Sequence, residues 1–152
     1  MDKLLLLVEE LELMVLQRDK LNINVSVVNV GWHIEHTLMA TVLIIDELLK
    51  SDPAKYKWRF NLNRLFVFSI NKIPRGSAKA PKIVQPSENM SKERLMKYIE
   101  IAKEKISKTK DLNANNHFKH PDLGILNYAH AMKFMRIHAR HHLKIIEEII
   151  KN

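Results

Sequence analysis

The last helix of this chain is the stretch that decides its fold. Residues 127–143 read NYAHAMKFMRIHARHHL, and residues 144–150 continue as KIIEEII. Asn127, a favourable N-cap residue, precedes the run. The apolar residues recur at the three- and four-residue spacing of an α-helix, the clearest being Phe134, Ile137, Ile145 and Ile149. The pattern predicts a helix over residues 128–150 with one face turned towards a core.

Two histidines lie on or beside this inward stripe. His138 and His142 are four residues apart, so their side chains lie one above the other on the helix. Two imidazoles so placed can bind one metal ion, whereas His141 is rotated by about 100° from His142 and should not share the site. Alternatively, each ring only hydrogen-bonds a neighbour in the core. The spacing alone leaves both interpretations open.

A third metal ligand would have to come from another helix. Residues 31–36 read GWHIEH and lie inside a second predicted helix. Either His33 or His36 could complete a set of three histidines with coordination positions left for water or substrate, which is typical of catalytic ions. The spacing does not decide between the two. Glu35 points about 100° away from His36, so we expect it on the surface or behind the ligands.

The rest of the chain predicts three further main helices. Asp2 caps a first helix that runs to about residue 18, a second covers residues 25–50, and Ser91 begins a third that ends near residue 108. A short helix over residues 61–71 and a loop over residues 73–89 with several prolines separate the second from the third. Four main helices with two long crossover connections predict an all-α four-helix bundle, formed by a single domain of residues 1–152.

Composition narrows the class of protein. The chain has no cysteine, which excludes catalysis or metal binding by its own thiolates. The net charge of +8 could favour nucleic acid, anionic lipid or an acidic substrate, but the lysines are interspersed with glutamates, and we expect a solvated helical surface instead. Its apolar runs are too short to span a bilayer, and no secretory signal is evident. We expect a cytoplasmic protein that acts on a small molecule, has no membrane partner and could form a homodimer.

The C-terminal third also resembles a known family. Residues 120–126 read HPDLGIL, eleven residues follow, and residues 138–143 read HARHHL. This order is similar to the H-P-x-x-G-x-L and H-x-x-H-H-L motifs of a branch of unknown function in the DinB-like (DinB/YfiT-like) superfamily of metal-dependent hydrolases and transferases. Residues 32–38 resemble the helix-two motif of that family, in which His36 is a better match than His33.

The resemblance implies a four-helix bundle that holds one divalent ion, zinc or nickel, through His36, His138 and His142. A bound ion lowers the pKa of a water or of a small thiol and so makes a nucleophile near neutral pH. The implied activity is therefore that of a hydrolase or of a thiol S-transferase with a low-molecular-weight thiol as cosubstrate. No general base is evident. His117 and His120 could reach the mouth of the site, although an ordinary loop position is favoured for His120.

Two other functions stay open. The R-x-x-x-x-H pattern from Arg136 to His141 resembles the active motif of the helical HEPN ribonucleases, and a metal-binding bundle without catalysis is the other alternative. The sequence has no H-E-x-x-H and no Glu-x-x-His, which argues against a zincin-type protease and a ferritin-like di-iron site. The basic loop of residues 72–79 could hold an acidic substrate or serve as a lid, and a solvated loop is the equally favoured alternative. Three aromatic residues are expected to pack in the core rather than line a pocket: Trp32, Trp58 and Phe66.

Overall fold

The computed structural model describes residues 2–76, 81–86 and 90–151, and it is mostly helical. Within these ranges five α-helices and one β-hairpin form: α1 (Lys3–Leu13), α2 (Val30–Lys50), α3 (Leu62–Ile70), α4 (Lys92–Lys108), β1 (His117–His120), β2 (Gly124–Asn127) and α5 (Tyr128–Lys151). Short 3-10 turns cover Met14–Gln17, Pro53–Lys55, Lys82–Val84 and Thr109–Asp111. The hairpin lies between α4 and α5, where the sequence indicated only a polar connection. The fold is therefore not purely helical.

The helix starts predicted from N-cap residues are confirmed for α1, α4 and α5. The side-chain oxygens of Asp2, Ser91 and Asn127 each accept a hydrogen bond from a backbone N–H two or three residues further along. Such bonds satisfy N–H groups that have no partner inside the helix, and each contributes about 1 kcal/mol to helix stability. α3 likewise begins after the N-cap Asn61 and ends at Asn71, which adopts a left-handed conformation.

The second helix begins later than its predicted start at residue 25. Asn29 is its N-cap and accepts a hydrogen bond from the Trp32 N–H, so α2 starts at Val30. The residues before it form turns in which the N–H groups of Val25 and Ser26 bind the carbonyl of Asn22. The apolar residues in this turn have the spacing expected at the start of a helix, which explains the early predicted start. The helix itself begins only after the capping asparagine.

Four of these helices enclose the hydrophobic core. α2 packs against α4 and α5, and α1 packs against the same two helices from the other side. Burying each large apolar side chain contributes about 1.5–3 kcal/mol, which is the main favourable term in folding. Side chains from all four helices and from β2 are fully buried: Leu4, Leu11, Ile34, Leu38, Ile45, Leu48, Leu95, Ile99, Leu126, Met135 and Ile146.

The hairpin brings the segment before α5 back onto the helices. His117 pairs with Asn127 and His120 with Gly124, and the turn uses Gly124 at a φ of 71°, where a side chain would be strained. The buried Asn116 side chain anchors the start of β1 by donating to the carbonyls of Leu48 and residue 51. The hairpin therefore fixes where α5 begins and which of its faces meets α2.

Two aromatic residues predicted to be in the core lie at the surface. Trp58 is 61% exposed and Phe66 is 55% exposed, so that expectation was wrong for both. The reason is that α3 turns its Arg64 and Val67 inward, and the Arg64 guanidinium donates to the carbonyls of Arg59 and Ile125. Among the described residues no helix is long and apolar enough to cross a membrane.

Candidate metal centre

Three histidines from two helices converge in the middle of the molecule. His36 comes from α2, and His138 and His142 come from α5. The Nε2 atom of His138 is 3.2 Å from Nε2 of His36 and 3.2 Å from Nε2 of His142. Around a tetrahedral ion with metal–nitrogen bonds of about 2.0–2.1 Å, neighbouring ligand nitrogens are about 3.3 Å apart. Two of the three nitrogen–nitrogen distances are therefore close to those around one ion, and all three ligand atoms lie within 4.8 Å of one another, so the rings could hold a metal.

The orientation of His36 is determined by contacts on both sides of its ring. Its Nδ1 lies 2.8 Å from the carbonyl oxygen of Val84, and the ring stacks on Trp32 at a centroid distance of 4.9 Å and an interplanar angle of 16°. Because a carbonyl can only accept, Nδ1 carries the proton of the neutral ring, and Nε2 presents a lone pair. His36 is thus held in the tautomer that a metal ligand needs.

His33 lies behind His142 and not in the cluster. Its Nδ1 is 2.9 Å from Nδ1 of His142, and its Nε2 is 2.9 Å from the hydroxyl of Ser26. One proton arrangement satisfies the whole chain: His142 donates from Nδ1 to His33, and His33 donates from Nε2 to Ser26. That arrangement leaves the Nε2 lone pair of His142 directed at the cluster. Of the two histidines of α2 that the sequence left open, His36 lies with the pair on α5, and His33 contacts His142 from behind.

Loss of hydration keeps these histidines neutral. Desolvation lowers the pKa of His138 and of His142 well below the ordinary value of 6.5, and nearby histidine charges lower both further. Desolvation also lowers the pKa of His36, while its bond to Val84 partly opposes this. The pKa of His33 falls to about 4, first through desolvation and then through the charges of His36, His141 and Arg75. At neutral pH the nitrogens of the cluster therefore carry lone pairs.

Of the two loop histidines, only His120 lies near the cluster. Its ring is 4.6 Å from that of Phe134, which in turn stacks on His138 at 5.6 Å. The Nδ1 of His120 accepts N–H groups of the hairpin turn, so its proton resides on Nε2. The backbone N–H of His117 donates to the hydroxyl of Ser51, which follows the C-terminus of α2. Ser51 comes fifteen residues after His36, which corresponds to about 22 Å along a helix axis.

Glu35 is fully buried, so the expectation of a surface position was wrong. Its Oε1 accepts bonds of 2.7 Å from both Nε and Nη2 of Arg94 on α4, while its Oε2 has no hydrogen-bond partner among the described residues. No contact with the histidine cluster is among these bonds. The ion pair instead links α2 to α4 one residue before His36. It therefore helps to fix the position of α2 along its axis relative to α4.

The basic loop contacts the helices around the cluster in its described part. Arg75 forms an ion pair of 2.8 Å with Glu148 on α5, and the side chain of Ile73 packs on the core. The remaining residues of the loop, 77–79, lie outside the described residues. Trp32 also lines a cleft of about 360 Å³, together with Val28, Pro86 and Met90. The side chain that stacks on His36 therefore contributes to an open cleft at the surface.

Arg136 and His141 do not face the same space. Arg136 lines a separate cleft between α1 and α5, together with Lys3 and Arg140. The ring of His141 lies 5.1 Å from that of His142, on the other side of α5. A helix rotates by about 100° per residue, so side chains five apart diverge by about 140°. The two residues of the R-x-x-x-x-H pattern are thus divided between two surfaces.

Two contacts of the cluster had no signal in the sequence. The Val84 carbonyl belongs to the backbone, which any residue could supply, and Ser26 lies in a turn that was predicted to be helical. Comparisons with protein-family models, with curated proteins and with solved structures find no match to this chain. What the site offers follows from its residues: three neutral imidazoles that could hold a divalent ion, and an open cleft lined by the Trp32 that stacks on His36.

Proposed function

We propose that this chain is a four-helix bundle of the DinB-like kind, in which His36, His138 and His142 bind one divalent metal ion. The observation that carries the proposal is the spacing of 3.2 Å between the Nε2 atoms on α2 and α5, which is close to that of ligands around one ion. α1, α2, α4 and α5 are the four helices of the bundle. The short helix α3 and the hairpin are then additions within its two crossover connections.

Zinc or nickel suits this set of ligands best. Imidazole binds both ions well, whereas magnesium and calcium prefer oxygen ligands. Three protein ligands leave at least one coordination position for water or substrate, as in catalytic zinc sites. When bound, such an ion would supply the Lewis acidity that makes a water or a small thiol nucleophilic near neutral pH.

The activity we propose is that of a hydrolase or a thiol S-transferase acting on a small molecule. Trp32 and Phe134 cover the rings of His36 and His138 and keep bulk water away from them. The cleft beside Trp32 is the place for the apolar part of a substrate. His120, which is neutral with its proton on Nε2, is the candidate for moving a proton near the site.

Metal analysis of untagged protein tests the proposal. The parent chain, reconstituted with zinc or nickel and then dialysed, should retain close to one ion per chain, and His138→Ala/His142→Ala should retain none. The matched control is His117→Ala/His130→Ala, which removes two histidines outside the cluster and should bind like the parent. A parent without bound metal, or a double variant that keeps it, would overturn the proposal. If metal binds, a screen with hydrolysable esters and with small thiols separates the two activities from binding alone.

A further inference from the structure

The excess positive charge of the chain is confined to one segment. Residues 53–87 contain eight lysines and arginines and no aspartate or glutamate. The whole chain has 25 cationic and 17 anionic side chains, so the other residues hold 17 of each sign. This segment connects α2 to α4 and includes α3. The net charge of +8 is therefore not spread over the helices as a solvated coat but belongs to one crossover connection.

The same segment exposes a set of large apolar side chains. α3 turns Leu62, Leu65 and Phe66 to the solvent at the i, i+3, i+4 spacing of one helix face, with exposed fractions of 71%, 54% and 55%. Ile70, one turn later, is 41% exposed. Just before the helix, Trp58 and Phe60 are 61% and 62% exposed and alternate with Lys57 and Arg59, which are exposed too. We call residues 57–60 and these four side chains of α3 the crossover surface.

The exposed apolar area of this segment is at the upper end of what single chains present. Aromatic side chains cover about 150–250 Å² each, so six large apolar residues exposed to this degree present on the order of 600 Å². The largest apolar patch on a typical monomer is about 300–600 Å² and is often functional. The outward apolar face of α3 is therefore large enough to be a contact surface.

A basic cleft adjoins the end of α3. Asn71, which follows Ile70, lines a cleft of about 660 Å³ together with four cations and one acid: Lys3, Lys133, Arg136, Arg140 and Asp2. Lys133 also connects the two features, because its Nζ donates to the Phe68 carbonyl and lies 5.0 Å from the centre of the Phe68 ring. The apolar stripe thus ends beside a group of cations in a concave site, which suits an anionic headgroup next to an acyl chain.

We propose that the crossover surface binds the anionic face of a lipid membrane. Interfacial segments combine Trp, Phe and Leu with Lys and Arg in this way, with the apolar residues in the headgroup region and the cations on acidic lipids. Single-stranded nucleic acid also binds basic surfaces with aromatic residues, but the aliphatic Leu62, Leu65 and Ile70 offer no ring for stacking. A second copy is disfavoured because pairing this surface with itself brings the cations of both copies together, with no acid in the segment to pair with them.

Vesicle sedimentation tests the proposal on the unmodified full-length chain. Binding to vesicles of phosphatidylcholine with phosphatidylserine should exceed binding to phosphatidylcholine alone by at least tenfold, and it should weaken as sodium chloride is raised. This arm requires no variant, and metal need not be present. Equal binding to both vesicles, or binding to neither, would overturn the proposal.

Two variants assign the binding to the crossover surface. Lys57→Gln/Arg59→Gln should weaken binding to the acidic vesicles by about fivefold for each cation removed. Leu65→Ser/Phe66→Ser should weaken it by more than tenfold, because the buried apolar area is lost. Circular dichroism and thermal unfolding establish that both are folded.

Matched controls change the same chemistry elsewhere on the surface. Lys97→Gln/Lys110→Gln removes two exposed cations, and Leu13→Ser/Leu16→Ser removes two side chains that are 74% and 72% exposed. Both should bind acidic vesicles like the parent. If the controls and the crossover variants weaken binding equally, the surface is not the site. If size-exclusion chromatography shows a dimer that the Leu65→Ser/Phe66→Ser variant dissociates, or if only single-stranded RNA binds, a different partner occupies the surface and the proposal is wrong.

Discussion

Acid should destabilise the metal-free protein, because folding keeps several neighbouring histidines unprotonated. The pKa of His33 falls to about 4 in the folded state, mainly through desolvation, from an ordinary value of 6.5. Between these two values the unfolded chain binds a proton that the folded chain does not. The free energy of unfolding must therefore fall as the pH falls from about 6.5 to about 4. It is unaffected by this group above that window.

The size of the effect follows from the shift of His33. A shift of one pKa unit corresponds to 1.36 kcal/mol, so the full contribution of this group is about 3 kcal/mol. About 2 kcal/mol of it is lost between about pH 7 and about pH 5. His36, His138 and His142 have lowered pKa values as well and act in the same direction. A typical domain has a free energy of unfolding of about 5–15 kcal/mol, so this loss on acidification is a large enough fraction to be measured.

Urea unfolding followed by circular dichroism, with a chelator present, measures this loss at the two pH values. The parent should lose at least about 2 kcal/mol. His33→Asn should lose about 2 kcal/mol less than the parent, while His117→Asn, a change at a half-buried histidine away from the cluster, should lose as much as the parent. A free energy of unfolding that is constant or rises on acidification would refute the reasoning. So would a His33→Asn protein with the same pH dependence as the parent.

Two further variants probe the supports of the site. His33→Ala removes the ring that contacts Nδ1 of His142, and it should weaken metal binding by about 10–100-fold. A competition titration with a chromophoric chelator measures this. His33→Asn keeps a hydrogen-bond acceptor and should weaken metal binding less. Arg94→Ala leaves the buried Glu35 carboxylate without its cation and should cost about 3 kcal/mol in urea unfolding. Lys103→Ala breaks a partly exposed ion pair and should cost about 1 kcal/mol or less, so equal losses would contradict the role assigned to Arg94.

Features set by neighbours along the chain could be predicted from the sequence. The N-caps Asp2, Ser91 and Asn127 were recognised because a capping bond spans only two or three residues. The pairing of His138 with His142 follows from the helical period alone. Both are local rules that hold whatever the rest of the chain does.

Features that depend on how helices pack could not be predicted in the same way. His33 and His36 are one turn apart, and only the way α2 lies against α5 decides which of them reaches His138. The periodicity of α3 distinguishes two faces but does not show which one is turned to the core. A charged residue is usually assigned to the outer face, whereas Arg64 is buried. The hairpin was missed because each strand has only four residues, too few for alternation to be distinguished from a loop.

The two tryptophans of the chain lie in such different surroundings that each can serve as an optical probe. Trp32 stacks on the ring of His36, whereas Trp58 is largely exposed on the crossover surface. In a Trp58→Phe protein the remaining indole emits from beside a histidine of the cluster. A proton or a paramagnetic ion such as Ni²⁺ on that histidine would quench the emission. Fluorescence intensity then becomes a label-free record of what occupies the three histidines, and the reverse variant, Trp32→Phe, records events at the surface alone.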